Sequence, residues 1–462
     1  MSSLPNPSSP RLAVSLSGGG HRATLYALGA LMYLVDSEAS KNVTSIASVS
    51  GGSLTNGLVG QEVNFRKTNS QEFRDRVARR LATQISNSGT LFAPLYAKIY
   101  VVFLVLSGIA ALLIPAIVPA PWFVRLLVLL ATLLVWGWIL GIRGRVCACA
   151  FQTTLYSPNG RATKLADLKI PDLDHVICST EFRSAEQVYF AGDFVYSYAL
   201  GYGVPGDLPL ARAVQASAAF PGGFPPSTLS ASPHKFAGTP PTDAGGAPQP
   251  LSKIVLTDGG VYDNMGEQWA RGFAERIGRC PNLGNGRQAP EQLVVVNASA
   301  RVPWSPFRQR LFPLLGELAA LLRVNNILYI NTTNVRRQVI VDSFNPADPT
   351  RVAGIPSVLV QIAQSPFRVA TSFAKGADAV GERGREVLKF LGSGPSEADW
   401  TKIARENAKV ATSLSKFGPE VTARLIYQGY VVAMCNLHVL FGPEYPLIPD
   451  GLELKQFRDL IS

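Results

Sequence analysis

Ser50 sits in the run Ser48-Val49-Ser50-Gly51-Gly52-Ser53, after an apolar, strand-like stretch at 43–47 and before a segment at 54–59 that can start a helix. A serine on such a strand-to-helix turn is thrust out of the fold, so its hydroxyl can attack an electrophile. Small residues two places before and two after it let strand and helix pass closely. Gly52 meets that need on one side, whereas Ser48 stands where the pattern prefers glycine. The expected geometry is a nucleophile elbow. A plain Ser/Gly turn has the same composition, so other residues must decide.

A second cluster is Gly18-Gly19-Gly20-His21-Arg22, between an apolar strand-like stretch at 11–17 and a helix-like one at 23–35. Without Cβ atoms, successive backbone N–H groups can converge on one point, and the positive end of the following helix adds to them. Such a nest holds an anion. The Walker ending in Gly-Lys-Ser/Thr is absent, and so are the spaced dinucleotide glycines. The reading carried forward is an oxyanion hole for a tetrahedral acyl intermediate, in which one donor lowers the barrier by roughly 2.7–4 kcal/mol. Arg22, one turn away, either supports the loop or meets a substrate phosphate. A glycine-rich turn with no ligand is the alternative.

The third cluster is Asp258-Gly259-Gly260, delivered by the strand-like Lys253-Ile254-Val255-Leu256-Thr257. An aspartate at the carboxyl end of a strand, followed by two glycines, occupies the edge where open α/β sheets place their ligands. A serine hydroxyl needs a base, and the usual base is histidine. The chain has four, His21, His175, His234 and His438, and none stands in a triad context. The economical expectation is Asp258 acting directly on Ser50, its basicity raised by partial burial.

The elements that must position these residues read as α/β. A strand is expected at 176–181 and a short helix at 210–219, closed by Phe220-Pro221-Gly222-Gly223-Phe224-Pro225-Pro226. The stretch 221–250 is crowded with Pro, Gly and Ser and reads as a loop. Late strands are expected at 293–299 and 357–363, and a late helix at 417–433. The 462 residues allow one large α/β domain or two smaller ones. Residues 1–10 read as a loose tail with no signal-peptide core.

Hydrophobic residues make up 47% of the chain and charged residues only 16%, which is more apolar than an ordinary soluble domain. The excess is concentrated between 99 and 142, where the only ionisable charge is Arg125, beside the turn-like Pro119-Ala120-Pro121-Trp122. The halves 99–118 and 122–142 each have the length of about 20 residues that crosses a hydrocarbon layer of about 30 Å. They read as a transmembrane helical hairpin, with a pair of buried core helices as the alternative. Arg125 and Trp122 suit the interface, and Lys98 before the first span with Arg143 and Arg145 after the second put both outer ends on the cytoplasmic side. An even number of crossings also lets Ser50 and Asp258 meet. The expected division is therefore a tail at 1–10, a discontinuous catalytic domain at 11–97 and 143–462, and a membrane insertion at 98–142.

Five cysteines, odd in number and without zinc or redox spacing, read as reduced thiols. Cys147 and Cys149, just inside the second span, read as idle thiols, with acylation as the alternative. The net charge of +11 comes with no nucleic-acid motif. It suits anionic lipid head groups or a merely solvated surface.

In this order, Gly18-Gly19-Gly20-His21-Arg22, the Ser50 elbow and Asp258-Gly259-Gly260 resemble the patatin-like phospholipases, serine acyl hydrolases that use a Ser–Asp dyad without histidine. The runs Ala213-Val214-Gln215-Ala216-Ser217-Ala218-Ala219-Phe220-Pro221-Gly222 and Val261-Tyr262-Asp263-Asn264-Met265-Gly266 extend the likeness, which covers about 11–60 and 165–270. The resemblance implies a three-layer α/β/α sandwich, Ser50 as nucleophile, Asp258 as base and Gly18, Gly19 and Gly20 as oxyanion hole. Arg22, Gly52, Gly259 and Gly260 are in support, and no metal or organic cofactor is implied. Ser48 and the inserted hairpin depart from the family pattern. The expected function is a membrane-anchored hydrolase of lipid acyl esters facing the cytosol, acting on phospholipids or lysophospholipids of its own bilayer. An acyltransferase on the same dyad and a non-catalytic membrane scaffold are the alternatives.

Overall fold

The computed structural model describes residues 10–237, 252–300, 313–343 and 354–461. Alternating apolar residues build a central sheet with a core on each face. Its strands are β1 (Leu12–Leu16), β2 (Val43–Ser48), β3 (Asp174–Glu181), β4 (Gln187–Phe190), β5 (Val195–Ser197), β6 (Gly201–Gly203), β7 (Ser227–Ser230), β8 (Lys253–Asp258), β9 (Gln292–Asn297) and β10 (Ser357–Gln361). The main path runs β10-β9-β1-β2-β3-β4-β5-β6, and β7 and β8 pair off it. From β10 to β3 all neighbours are parallel, and every other pair is antiparallel. Val14, Leu16, Val294, Val296, Val358 and Val360 enter the main core. Their chain neighbours Ala13, Leu293, Val295 and Leu359 enter a second one with Met265, Ala270 and Ile340. This two-residue period is what a strand buried on both faces requires.

The helices used below are α1 (Gly20–Asp36), α2 (Gly51–Glu62), α3 (Leu95–Ile117), α4 (Trp122–Gly141), α5 (Arg143–Thr154), α6 (Leu210–Ser217), α7 (Pro313–Asp342) and α8 (Pro419–Leu440). Helix α1 is buried along nearly its whole length, and it crosses α8 with backbones in contact. A side chain at Gly29 would run into the Ile426 carbonyl, and one at Gly429 into the Tyr26 carbonyl. Glycine on both helices is what permits the approach, which no rotamer change could otherwise relieve.

Strand β3 acts as a ruler. Its first half pairs with β2, Ile177 standing opposite Ser48. Its second half pairs with β8, Ser179 standing opposite Asp258. Strand β4 occupies the other edge across Ile177 to Thr180, so β2 and β8 lie end to end on one edge, pointing at each other. Asp258 thus reaches the serine from an antiparallel strand.

Some elements differ from expectation. The 221–250 stretch is not all loop, because β7 pairs with β8 inside it. Leu229 is buried while Thr228 and Ser230 face out, the pattern of a one-sided edge strand. Residues 238–251 of that stretch lie outside the described residues. The meander β4 to β6 and the long helix α7 had no counterpart in the sequence reading. Helix α3 begins at Leu95, so Lys98 lies within its first turn and does not precede it. Helix α4 ends at Gly141, which puts Cys147 and Cys149 on the separate helix α5 and outside the apolar helix. Cys147 is buried and Cys149 exposed.

Helices α3 and α4 are long and apolar enough to cross a membrane, and their most apolar stretches are only 11% and 6% buried. They are therefore not core helices of this chain. They hold each other through the Trp136 indole N–H donating to the Leu104 carbonyl (3.0 Å), Thr132 Oγ1 to the Ala111 carbonyl (2.9 Å) and the Tyr100 hydroxyl to the Ile139 carbonyl (2.8 Å).

The crossing of α1 and α8 gives a direct test. Gly29→Val and Gly429→Val are each expected to cost at least about 1–3 kcal/mol, read as a lower Tm or loss of folded protein. Gly278→Ala, with open space around it, is expected to leave Tm within a degree or two.

Candidate active site

The turn after β2 places Ser50 at φ 50° and ψ −115°. A non-glycine residue there costs on the order of 1–3 kcal/mol and persists only where its surroundings over-determine it. Here they do. The Ser50 N–H donates to Ser217 Oγ (2.9 Å), and Ser217 Oγ donates in turn to the Cys178 carbonyl (2.6 Å). The Ser53 N–H donates back to the Ser50 carbonyl (3.0 Å). A side chain at Gly51 would collide with the Gly20 carbonyl, so the elbow and the glycine loop interlock through a position only glycine can fill.

Ser48 causes no strain where the elbow pattern prefers glycine. It is fully buried, its hydroxyl donates to the Val176 carbonyl (3.1 Å), and it accepts from Ser53 Oγ (3.1 Å) and Asn56 Nδ2 (2.9 Å). Ser48, Ser53, Asn56 and Ser217 thus form one buried polar network beneath the turn.

Asp258, the last residue of β8, is 2% exposed. Its carboxyl accepts the Gly260 N–H at Oδ1 (2.7 Å), and the Ser50 side chain lies near enough to favour its ionised form. Burial pushes it from an ordinary 3.8 up to about 7, against the pull of both groups. The end of α6 binds both halves of the pair. Ser217 holds the Ser50 amide through its side chain, and the Ser217 and Ala219 carbonyls accept from the N–H groups of Gly259 (3.1 Å) and Asp258 (3.1 Å). The sequence reading singled out the run around Ser217 but gave it no role.

The glycine loop lies alongside. Gly18 donates its N–H to the Asn264 carbonyl (3.0 Å), and a side chain there would come within 3.3 Å of Ser50 Cβ and meet Asn264 Oδ1. Gly19 and Gly20 take φ values of 141° and 58°. Among the described residues, the N–H groups of Gly19, Gly20 and Gly51 have no acceptor, so they stand as open donors at the first turns of α1 and α2. Arg22 is buried behind the loop and donates to the carbonyls of Ala298 (3.1 Å) and Val410 (2.6 Å). Burial lowers it to about 10, which leaves it charged at neutral pH.

The four histidines bond elsewhere. His21 contacts the Ser415 carbonyl and Thr90 Oγ1, His175 contacts Asn56 Oδ1, His234 the Val204 carbonyl, and His438 the Tyr445 carbonyl and Glu386. Burial lowers His21 and His175 to about 4, so both are neutral. A cavity of about 640 Å³ opens at the far end of the strands, around Arg66, Asp174, Trp269 and Arg287, away from Ser50 and Asp258.

The elements that carry the serine, the buried carboxyl and the glycine loop fall within one stretch of the chain that a known family matches. The family model of patatin-like phospholipases matches residues 14–268. The chain belongs to the patatin-like phospholipase family. Patatin-like phospholipases are lipid acyl hydrolases, and this one carries the family's α/β fold with a mixed central sheet. Among solved structures, human GIVD cytosolic phospholipase A2 is similar over 98% of this chain at 14% identity, with a TM-score of 0.42, and this chain spans 60% of the length of that one. VipD from Legionella pneumophila is similar over 99% of this chain and 92% of its own, at 12% identity and a TM-score of 0.25. No curated protein matches this patatin-like phospholipase.

The buried carboxyl has a stability signature. Because the folded-state value of Asp258 is raised, the native protein binds a proton that the unfolded chain has lost between about pH 4 and 7. Its contribution to stability is therefore full below pH 4 and is lost as pH rises through 7. Asp258→Asn removes this dependence. It is expected to be more stable than the wild type at pH 8, by up to about 4 kcal/mol, with the gap narrowing toward pH 4 in paired thermal melts.

Proposed function

We propose that this patatin-like phospholipase is a membrane-anchored hydrolase of lipid acyl esters, with Ser50 as nucleophile and Asp258 as base. The observation that carries the reading is the Asp258 carboxyl, buried at the strand end that meets the Ser50 turn, beside the Ser50 side chain, and brought to about 7 by desolvation. A base near the working pH combines the ionised form with useful proton affinity. In acylation, Asp258 takes the Ser50 proton as Oγ attacks the ester carbonyl. The tetrahedral oxyanion is held by the N–H groups of Gly19, Gly20 and Gly51. Gly18, whose amide is engaged by Asn264, shapes the loop beside Ser50, and Arg22 braces it from behind. Collapse breaks the carbonyl–alkoxy bond, and the leaving alcohol takes its proton from Asp258. Water, deprotonated by Asp258, then releases the fatty acid and restores Ser50.

The membrane part of the proposal assigns 98–142 to a hairpin crossing the bilayer twice and 11–97 with 143–462 to one catalytic domain on the cytoplasmic side. Two features support it. Outside the seam where they meet, helices α3 and α4 present apolar side chains outward. The start of α5, where the hairpin joins the domain, also packs beside the site, because Arg143 Nε donates to the Gly223 carbonyl (2.8 Å) and Gly144 lies against Pro225 and Gln215. Those contacts fall on α6 and the turn after it, which position Ser50 and Asp258. Phospholipids or lysophospholipids of the same bilayer are then the substrates at hand.

The test is fatty-acid release from a panel of phospholipids and lysophospholipids by detergent-purified protein. The wild type is expected to release fatty acid and Ser50→Ala none. Because Asp258 must be ionised, kcat/KM is expected to fall about tenfold per pH unit below about pH 7. No release from folded wild type, or an acid limb near pH 4, would remove the dyad.

A further inference from the structure

Tyr329 lies on α7, a helix with no counterpart in the sequence reading. Its ring packs against Gly260 and Phe220. A side chain at Gly260 would come within 2.7 Å of Tyr329 Cε1 and 2.9 Å of Asp258 Oδ1, so ring edge and carboxyl adjoin on the same side of that glycine. The Phe220 and Tyr329 ring centroids are 6.1 Å apart. The Tyr329 hydroxyl is shut off from solvent and has no hydrogen-bond partner among the described residues. Leaving such a group unsatisfied costs about 1–3 kcal/mol, and phenylalanine would fill the same space without that cost.

The ring is held firmly. Two turns along α7, Arg336 Nη1 donates to Glu267 Oε1 (2.8 Å) and Gln268 Oε1 (3.2 Å), and Nη2 donates to the Tyr262 carbonyl (3.3 Å). Residues seven apart on a helix share a face, so the pairing that pins Arg336 to the segment after β8 also fixes Tyr329 beside Asp258. Burial and the neighbouring Asp258 charge raise the phenol well above its ordinary value, which keeps it a donor throughout the working range.

We propose that Tyr329 is a further catalytic residue, whose hydroxyl donates a hydrogen bond to the leaving alkoxy oxygen as the acyl–oxygen bond breaks. The inference rests on the dyad reading given above. The carbonyl oxygen of the ester belongs on the glycine-loop side of Ser50. The alkoxy oxygen must lie by Asp258, because that group returns the proton. Tyr329 is on the Asp258 side. In the step itself the Ser50 Oγ–acyl bond has formed, the acyl–alkoxy bond breaks with its electron pair going to the alkoxy oxygen, and the proton taken from Ser50 passes from Asp258 to that oxygen. Tyr329 keeps its own proton and stabilises the charge that develops first.

The test uses the full-length protein in detergent and two classes of ester with the same acyl chain. One is a glyceryl ester such as a lysophospholipid or monoacylglycerol, whose alkoxide is a poor leaving group. The other is a p-nitrophenyl ester, whose phenolate leaves without help. Tyr329→Phe is expected to lower kcat for acylation by glyceryl esters at least tenfold, to change the nitrophenyl rate by less than threefold, and to leave Tm unchanged or higher. Equal rates on both classes, or an equal loss on both, would overturn the assignment, because neither depends on the leaving group. A lowered Tm would overturn it too, since the hydroxyl would then be serving the fold. If the wild type cleaves neither class, it is the dyad reading itself that fails.

Discussion

Everything at the site depends on two strand ends meeting head-on along one edge of β3. Strand β2 stops opposite Ile177 and β8 stops opposite Ser179, which leaves only the Val49-Ser50 turn between them. An aspartate side chain is short, and it reaches a serine hydroxyl directly only if the two backbones are brought this close. Had β8 lain as a parallel neighbour, the strand spacing of about 4.8 Å and the intervening turn would have had to be bridged, the place a histidine fills in a triad. Register carries the same weight. A slip of one residue in the pairing of β8 with β3 would turn the Asp258 side chain to the opposite face. Strand β7 on the other edge of β8 and the carbonyls of Ser217 and Ala219 fix that register.

The arrangement has opposing energetic demands that one helix end reconciles. Ser50 is held at positive φ, and Asp258 is kept out of water with the Gly260 N–H donating to its carboxyl and the Ser50 side chain nearby. Both are unfavourable for the fold and, on the proposed dyad, favourable for chemistry, since strain would expose the hydroxyl and desolvation makes the carboxylate basic. The compensation lies in satisfied neighbours. Ser217 occupies the Ser50 amide, Ala219 that of Asp258, and Ser48, Ser53 and Asn56 use one another and the β3 backbone. A buried network of this kind rigidifies when complete and costs heavily when broken. This is why serine is accommodated at position 48, where the elbow pattern calls for a small residue without a polar group.

How much of this was legible in the sequence depended on range. Local patterns were readable: the runs that became β1, β2, β3, β8, β9 and β10, the bodies of α1 and α2, expected from 23 and 54 and found to start at Gly20 and Gly51, and the apolar insertion all show in local sequence. The three motifs around Gly18, Ser50 and Asp258 were readable because each carries its own turn chemistry. The antiparallel entry of β8 was not, since pairing direction is a tertiary property that alternation does not encode. Strand β7 hid because Ser-Thr-Leu-Ser offers a single buried apolar residue amid Pro and Gly. Ser217 was invisible as a positioning residue because its work is done by a hydroxyl 167 positions from the amide it holds. Helix α7 lacks a strong apolar stripe, and its registration comes from Arg336 against Glu267 and Gln268, charges that read locally as ordinary surface.

The apolar pair α3 and α4 is inserted between α2 and β3, and its place in the chain has a physical reading if it is the membrane hairpin proposed above. On the proposed reading its foot meets the domain at the turn after α6, through Arg143 and Gly144. That turn carries Phe220, and the segment after Asp258 carries Val261, both 38% exposed. Exposed apolar side chains near the site are unfavourable in water, and they would become favourable if that face rested against acyl chains. On that reading, fixing the foot of the hairpin at this point would remove the orientational search that a peripheral enzyme makes at every encounter, because the contacts of Arg143 and Gly144 fall on the helix and turn that hold Ser50 and Asp258. If the hairpin is the proposed anchor, it would then act as part of substrate capture, and its position in the chain would follow from the need to set α6, and with it Ser50 and Asp258, at a fixed height above the lipid.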